Sequence, residues 1–210
     1  MPAQLSYKTL REENSAEFII NKSRFIGYGC PCETEEEALA FLARIRQKHK
    51  DATHNCYAYI IGLNSGIMRY SDDGEPGGTA GMPIIEVMKA RGVVNCAVVV
   101  TRYFGGILLG TGGLVRAYTA AASGALQSAE LVSMRLVVDC KVRVSYAQFE
   151  QAQRIIAAAE TRLDEPIFDD AVTLCWRMPA GREETLRTAL NELTRGGAEV
   201  EISAPQYAAF

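Results

Sequence analysis

The side chains best suited to chemistry in this chain are arginines, carboxylates and tyrosines set among glycines. One segment begins Arg102-Tyr103-Phe104-Gly105-Gly106 and continues through Gly110-Thr111-Gly112-Gly113 to Arg116 and Tyr118. Five glycines fall within the nine residues 105–113. Glycine is costly unless the backbone needs positive φ or another group must come close. These glycines lie between an apolar run and a small-residue helical run. They therefore mark a backbone-lined site at a helix start, where unpaired N–H groups and the helix dipole favour an anion. Arginine forks beside it would hold phosphate through paired hydrogen bonds.

A second segment, residues 70–81, carries Asp72, Asp73 and Glu75 within four positions, then Gly77, Gly78 and Thr79. Three acids this close could ligate a hard cation such as Mg²⁺, although the spacing is not that of a calcium loop. The same residues serve equally well as turn formers, with glycine supplying unusual backbone angles. Thr79 is placed to cap the helix that follows, and Pro83 suits its first turn. Two glycine-rich helix starts facing one cleft would make a strong anion site; close helix-on-sheet packing through small residues explains the glycines too. Lys22 and Arg24 flank an early turn. His54 and Asn55 precede a strand that places Tyr57 and Tyr59 on one face, either as a half-buried aromatic surface or as a base-stacking platform. All these glycines, with Lys22, Arg24, His54, Asp72, Asp73, Glu75, Thr79, Arg102, Tyr103, Thr111, Arg116 and Tyr118, form the candidate ligand and phosphate site.

Several chemistries lack their signatures. No serine or cysteine sits in a nucleophile elbow. His49 and His54 are the only histidines, which leaves few general bases. The glycines fit neither a P-loop nor a dinucleotide fingerprint. The six cysteines lie mostly in apolar contexts and read as buried free thiols; Cys30-Pro31-Cys32 has no second pair with which to bind metal. The sequence identifies no catalytic residue and leaves open whether the protein is an enzyme; no cofactor or resident metal is expected.

The elements that must position these residues follow from periodicity. Residues 16–20 and 24–32 read as strands joined by a turn at 21–23. Thr34 caps a helix running to about residue 48, with three glutamates in its first turn. Strands follow at 56–61 and 67–70, a loop at 71–81 and a helix at 84–91 that stops at Gly92. A buried strand at 95–101, a helix at 111–128 and a strand at 132–139 complete a first domain. A second pattern then places strand residues at 142 and 144, a helix at 146–160, strands at 167 and 172–177, a helix at 182–194 and a last strand at 198–202. Its order is β-α-β-β-α-β, a ferredoxin-like unit. The expected class is α+β with domains at 1–138 and 139–210.

Composition narrows the function. With 210 residues the chain is long enough for one large domain or two small ones, and its 48% hydrophobic content is ordinary for a globular protein. No apolar run is long enough to span a bilayer, and the polar start lacks a signal-peptide pattern, which points to the cytoplasm and to no membrane partner. Residues 1–138 hold 14 Lys and Arg against 13 Asp and Glu, while 139–210 hold 8 against 12. Contact with a polyanion therefore belongs to the first domain and to a local patch within it. No DNA sequence specificity is expected.

The segments Ser71-Asp-Asp-Gly-Glu-Pro-Gly-Gly-Thr-Ala-Gly81 and Arg102-Tyr-Phe-Gly-Gly-Ile-Leu-Leu-Gly-Thr-Gly-Gly-Leu-Val-Arg-Ala-Tyr118 resemble the signature of the YigZ/IMPACT family. Lys22-Ser-Arg-Phe25 and His54-Asn-Cys56 resemble its two smaller motifs, so the likeness covers about residues 15–130. The resemblance implies a first domain of the left-handed β-α-β superfamily, with domain IV of elongation factor G, a small-subunit ribosomal protein domain and the GHMP kinases. It implies a second domain like domain V of elongation factor G. Eukaryotic relatives regulate translation initiation by competing for an activator of an initiation-factor kinase. They carry an additional N-terminal RWD domain, for which the sequence before Ser6 offers no counterpart.

Two functions are consistent with these residues. In the favoured one, Lys22, Arg24, His54, Arg102, Arg116 and the glycine-rich helix starts hold RNA or ribosome phosphates, and Tyr103 or Tyr57 stacks a base. The acidic second domain then faces away from RNA or binds a protein. In the other, the 105–113 loop cradles a nucleotide or small phosphorylated metabolite, Asp72, Asp73 or Glu75 holds Mg²⁺, and Arg102 stabilises transferred charge. The chain shows no catalytic lysine beside that loop.

Overall fold

A computed structural model describes residues 6–63, 66–197 and 199–210. The chain divides into two compact units, Met1–Ser133 and Met134–Phe210, a few residues before the break expected at 138. The first unit contains β1 (Ser6–Leu10), β2 (Asn14–Ile20), β3 (Ser23–Pro31), α1 (Glu35–Lys48), β4 (His54–Ile61), β5 (Ile67–Ser71), α2 (Gly81–Arg91), β6 (Cys96–Tyr103) and α3 (Gly110–Ser128). Five of these strands form an antiparallel sheet in the order β2-β3-β6-β4-β5.

Local chemistry sets the element ends. Asn21 and Lys22 both take positive φ in the tight turn between β2 and β3. The Thr34 side chain accepts a hydrogen bond from Glu37 N, so α1 starts where its cap predicts, and Glu35, Glu36 and Glu37 complement the positive end of the helix. α2 ends at Gly92, whose left-handed conformation (φ 66°) only glycine adopts without strain.

The sheet is covered on both faces, and strand alternation sorts its residues. Cys96, Val98 and Val100 of β6 pack with Phe25, Cys56 and Ala58 beneath α2 and α3. Ala97 and Val99 pack with Ile26, Tyr28 and Tyr59 beneath Ala38, Phe41, Leu42 and Ile45 of α1. α3 lies close to β3 because position 27 is glycine: a Cβ there would stand 2.5 Å from the Ala121 carbonyl oxygen.

The second unit takes up the strand β7 (Leu131–Val144), followed by α4 (Tyr146–Ala157), β8 (Arg162–Leu163), β9 (Ile167–Phe168), β10 (Val172–Pro179), α5 (Glu183–Thr194), β11 (Val200–Ile202) and β12 (Gln206–Ala209). β7 is a single strand where the sequence suggests two, because Cys140 and Lys141 continue its alternation without a turn residue. Its antiparallel order β11-β7-β10-β8 is that of a ferredoxin-like unit. One sheet face buries Cys140, Val142, Leu174 and Trp176 against α4 and α5. The other is charged; Arg177 there donates to both oxygens of Asp139, at 2.7 and 3.1 Å. The strands β1, β8 and β12 are additions to the expected elements. The expected last strand began at Ala198, which lies outside the described residues.

Candidate functional site

β6 continues two residues past its expected end, and this decides where its arginine points. Arg102 pairs with His54 on β4 and Phe25 on β3, so these three share the α2–α3 face. Tyr103 pairs with Arg24, and Thr101 with Asn55, on the α1 face. The single cleft expected to hold Arg24, Tyr103, His54 and Arg102 is therefore two sites on opposite faces of one sheet.

On the α2–α3 face the centre is a buried ion pair. Arg102 Nη1 donates to Glu75 Oε1 at 2.7 Å, with side chains only 6% and 3% exposed. Arg102 lies against the rings of Phe25 and Phe104, its guanidinium carbon 5.5 Å from each centroid, and its Nε has no partner among the described residues. The Tyr118 hydroxyl, from the fully buried side of α3, also donates to Glu75 Oε1 at 2.7 Å and accepts from the Cys56 thiol at 3.4 Å. Burial first, then the neighbouring Cys56 and Glu75, push the Tyr118 pKa far up. Burial likewise pushes the Cys56 thiol up to about 12, so both groups stay protonated and serve as donors. His54 donates from Nδ1 to the Asp73 carbonyl at 2.8 Å, and its Nε2 lies 3.8 Å from Glu75 Oε2.

This pair forms one end of a cavity of about 420 Å³, whose other walls are Pro76, Phe104, Leu108, Leu109 and Leu114, with Gly110 and Thr111 at the start of α3. Among the described residues no side chain caps α3, whose N-cap is Leu109, so the first-turn N–H groups of Gly110, Thr111 and Gly112 have no side-chain acceptor. Arg116 is exposed one turn along, near Gly112, and Lys22 is exposed in the β2–β3 turn; neither forms an ion pair among the described residues. Gly105 has a packing role: a Cβ there would lie 2.0 Å from the Lys22 carbonyl, and its N–H donates to Ser23 Oγ. Gly106 (φ 82°) and Gly110 (φ 68°) bracket the exposed Ile107 and Leu108.

The other helix start is closed from within. Asp72 Oδ1 accepts from Ala80 N at 3.0 Å and Gly81 N at 2.8 Å, while Oδ2 accepts from Gly78 N at 2.9 Å. Burial opposes ionisation, but these N–H groups together hold the Asp72 pKa below the usual carboxylate range. The cap explains why α2 begins at Gly81 and not at 84. Thr79, expected to cap α2, instead donates its hydroxyl to the Pro76 carbonyl at 2.6 Å. Asp73 accepts from Asn55 N at 2.7 Å and from Arg46 at 3.1 Å. The acids read as one possible Mg²⁺ set thus face separate partners, and among the described residues no three His, Cys, Asp or Glu side chains converge as a metal site. Gly77 is exposed, and Gly78 turns the loop at φ 77°.

The opposite face holds a polar relay that sequence reasoning did not find. Buried His49 meets the Tyr28 hydroxyl through Nε2 at 2.7 Å and the Tyr103 hydroxyl through Nδ1 at 2.8 Å; Tyr103 reaches Asp51 at 3.3 Å. Thr101 donates to Asn55 Oδ1 at 2.8 Å, and Asn55 reaches the His49 carbonyl, closing the end of α1. Burial, then the charges of Lys48 and Arg24, lowers the His49 pKa. Arg24 is paired through two hydrogen bonds with Glu17 and lies over the Tyr103 ring. Tyr57 and Tyr59 stack with each other, and buried Tyr59 donates to Glu35. No helix among the described residues is long and apolar enough to cross a membrane.

Comparison with known proteins covers both units. Residues 21–126 match the Impact N-terminal domain, and residues 142–196 match a domain of unknown function, DUF1949. The IMPACT family member YvyE of Bacillus subtilis is 37% identical over 202 residues, spanning 96% of this chain and 93% of its own. An IMPACT family member of Thermus thermophilus is 41% identical over 184 residues, spanning 87% of this chain and 99% of its own. A solved structure described as "Crystal structure of an hypothetical protein" superposes with a TM-score of 0.63 at 31% identity, covering 94% of this chain and 97% of that one. Glycine-rich helix starts, a two-unit α+β fold and similarity along nearly the whole length agree: the chain belongs to the IMPACT family.

Proposed function

We propose that this protein is a translation-associated regulatory protein of the cytoplasm whose first unit binds the phosphates of RNA, free or in the ribosome, at the start of α3. The observation that supports this reading is a helix start with no side-chain cap among the described residues, beside a cavity lined by Arg102, with Lys22 and Arg116 exposed in the same unit and in no ion pair among the described residues. Such a start attracts an anion through its dipole and donors, and each added cation strengthens phosphate binding in a salt-dependent way. Arg102 is neutralised by Glu75, so it shapes the site and leaves Arg116 as the cation at the helix start. The acidic second unit, with its charged sheet face, is the surface for a protein partner.

The test is equilibrium binding of the full chain to labelled single-stranded RNA between 50 and 200 mM salt. Affinity should fall steeply with salt, and Arg116→Ala should reduce the log–log slope by about 0.7, one phosphate's worth on a single strand. Absence of RNA association at the lowest salt, or an affinity indifferent to salt, overturns the reading.

A further inference from the structure

Resting on the reading of α3's start as a phosphate site, we propose that the adjoining cavity accepts one unstacked nucleotide. Its phosphate lies on residues 110–112, its ring lies against Phe104 and Leu108, and its exocyclic amino group faces both His54 Nε2 and Glu75 Oε2 from the cavity. The polar end of the cavity defines the amino group. His54 Nδ1 contacts a backbone carbonyl, which only accepts, so Nδ1 carries a proton, and in the tautomer with a single ring proton Nε2 is an acceptor. Glu75 Oε1 already takes both Arg102 and Tyr118, while Oε2 stands 3.8 Å from Nε2. Two acceptors side by side at this separation are matched by one group that carries two N–H donors and approaches both from the cavity. Cytosine, adenine and guanine each carry one; uracil does not.

The remaining walls fit the rest of the nucleotide. Phe104 is 46% exposed and Leu108 86% exposed on the rim, an apolar surface that the face of a base would cover. The buried Arg102, whose Nε has no partner among the described residues, lines the same cavity. A volume of about 420 Å³ lies in the range of small-ligand sites and admits a single splayed nucleotide. A duplex keeps its bases stacked and paired and has no nucleotide to insert.

The experiment compares the intact protein's affinity for twelve-nucleotide oligomers of C, A and U, a C·G duplex, and the free monophosphates CMP, AMP and UMP. Oligo-C and oligo-A should bind roughly tenfold tighter than oligo-U, the difference expected for about one well-made hydrogen bond to a charged group. The duplex should bind more weakly than either. Phe104→Ala, a rim change that leaves the core intact, should weaken oligo-C while leaving the duplex unaltered, and His54→Ala should abolish the preference for C over U. Equal, salt-dependent affinity for every oligomer and the duplex overturns the nucleotide subsite and leaves the phosphate reading of α3 standing. Binding of CMP and AMP but of no oligomer supports the subsite and overturns RNA as its source. No binding of any probe overturns both.

Discussion

The two helix starts of the first unit differ in who supplies the negative charge. At α2 the chain does so itself: Asp72 reaches forward to take three backbone N–H groups. At α3 no described side chain does, although the segment is just as rich in glycine. Glycine density therefore reports that backbone comes close to something, and only the folded path of the loop says whether that something is internal. An acid six to nine residues upstream separates the two cases; residues 100–109 contain no acid at all.

The contrast can be broken by substitution. The largest effect is expected at the wall beside the open start. Arg102→Leu removes one partner of a buried pair and strands Glu75, which should cost about 3–5 kcal/mol in urea unfolding; adding Glu75→Gln should recover part of it. Next is Asp72→Ala, which makes α2's start resemble α3's. Loss of a charged acceptor for three N–H groups should cost about 2 kcal/mol, with hydrogen exchange quickening first at Gly78, Ala80 and Gly81. Acid should reproduce that result on the wild-type chain. The Asp72 pKa is lowered on folding, so its stabilisation is complete above the ordinary aspartate range and is lost as pH falls through the lower folded value. The protection of those three amides, relative to their intrinsic exchange at the same pH, should fall there, while that of the first turn of α3, which has no carboxylate to titrate, should not respond. The smallest effect is the reverse exchange. Thr111→Asp gives α3 a charge of its own and should stabilise the fold by about 0.5 kcal/mol, while weakening RNA binding. Unchanged RNA affinity in that variant would place the phosphates elsewhere.

The local grammar of the chain was readable where chemistry and spacing coincide. Thr34 with its glutamates, the turn at Asn21 and Lys22, and Gly92 each act within a few residues, and each appears where expected. The site was less readable for two reasons. β6 was expected to end at Thr101, which left Arg102 and Tyr103 as neighbours in a loop; as strand residues they face opposite sides of the sheet. Glu75, Arg102 and Tyr118 meet across 27 and 43 residues of sequence, distances at which no periodicity operates. The same holds for His49, which reads as a helix end and is in fact the centre of a network of tyrosines.

That histidine also makes one end of the fold a proton counter. Each ring nitrogen faces a phenol that can give or take a hydrogen bond, and one proton suffices for the pair. Adding a second turns both nitrogens into donors, so both phenol oxygens must accept from the ring, while Tyr103 still donates to Asp51. Because the imidazole is harder to protonate folded than unfolded, the bracing of α1 against the sheet is intact at neutral pH and slackens as acidity carries the ring through its lowered pKa. Acid thus loosens this first unit from both sides of its sheet, at Asp72 on one and at His49 on the other.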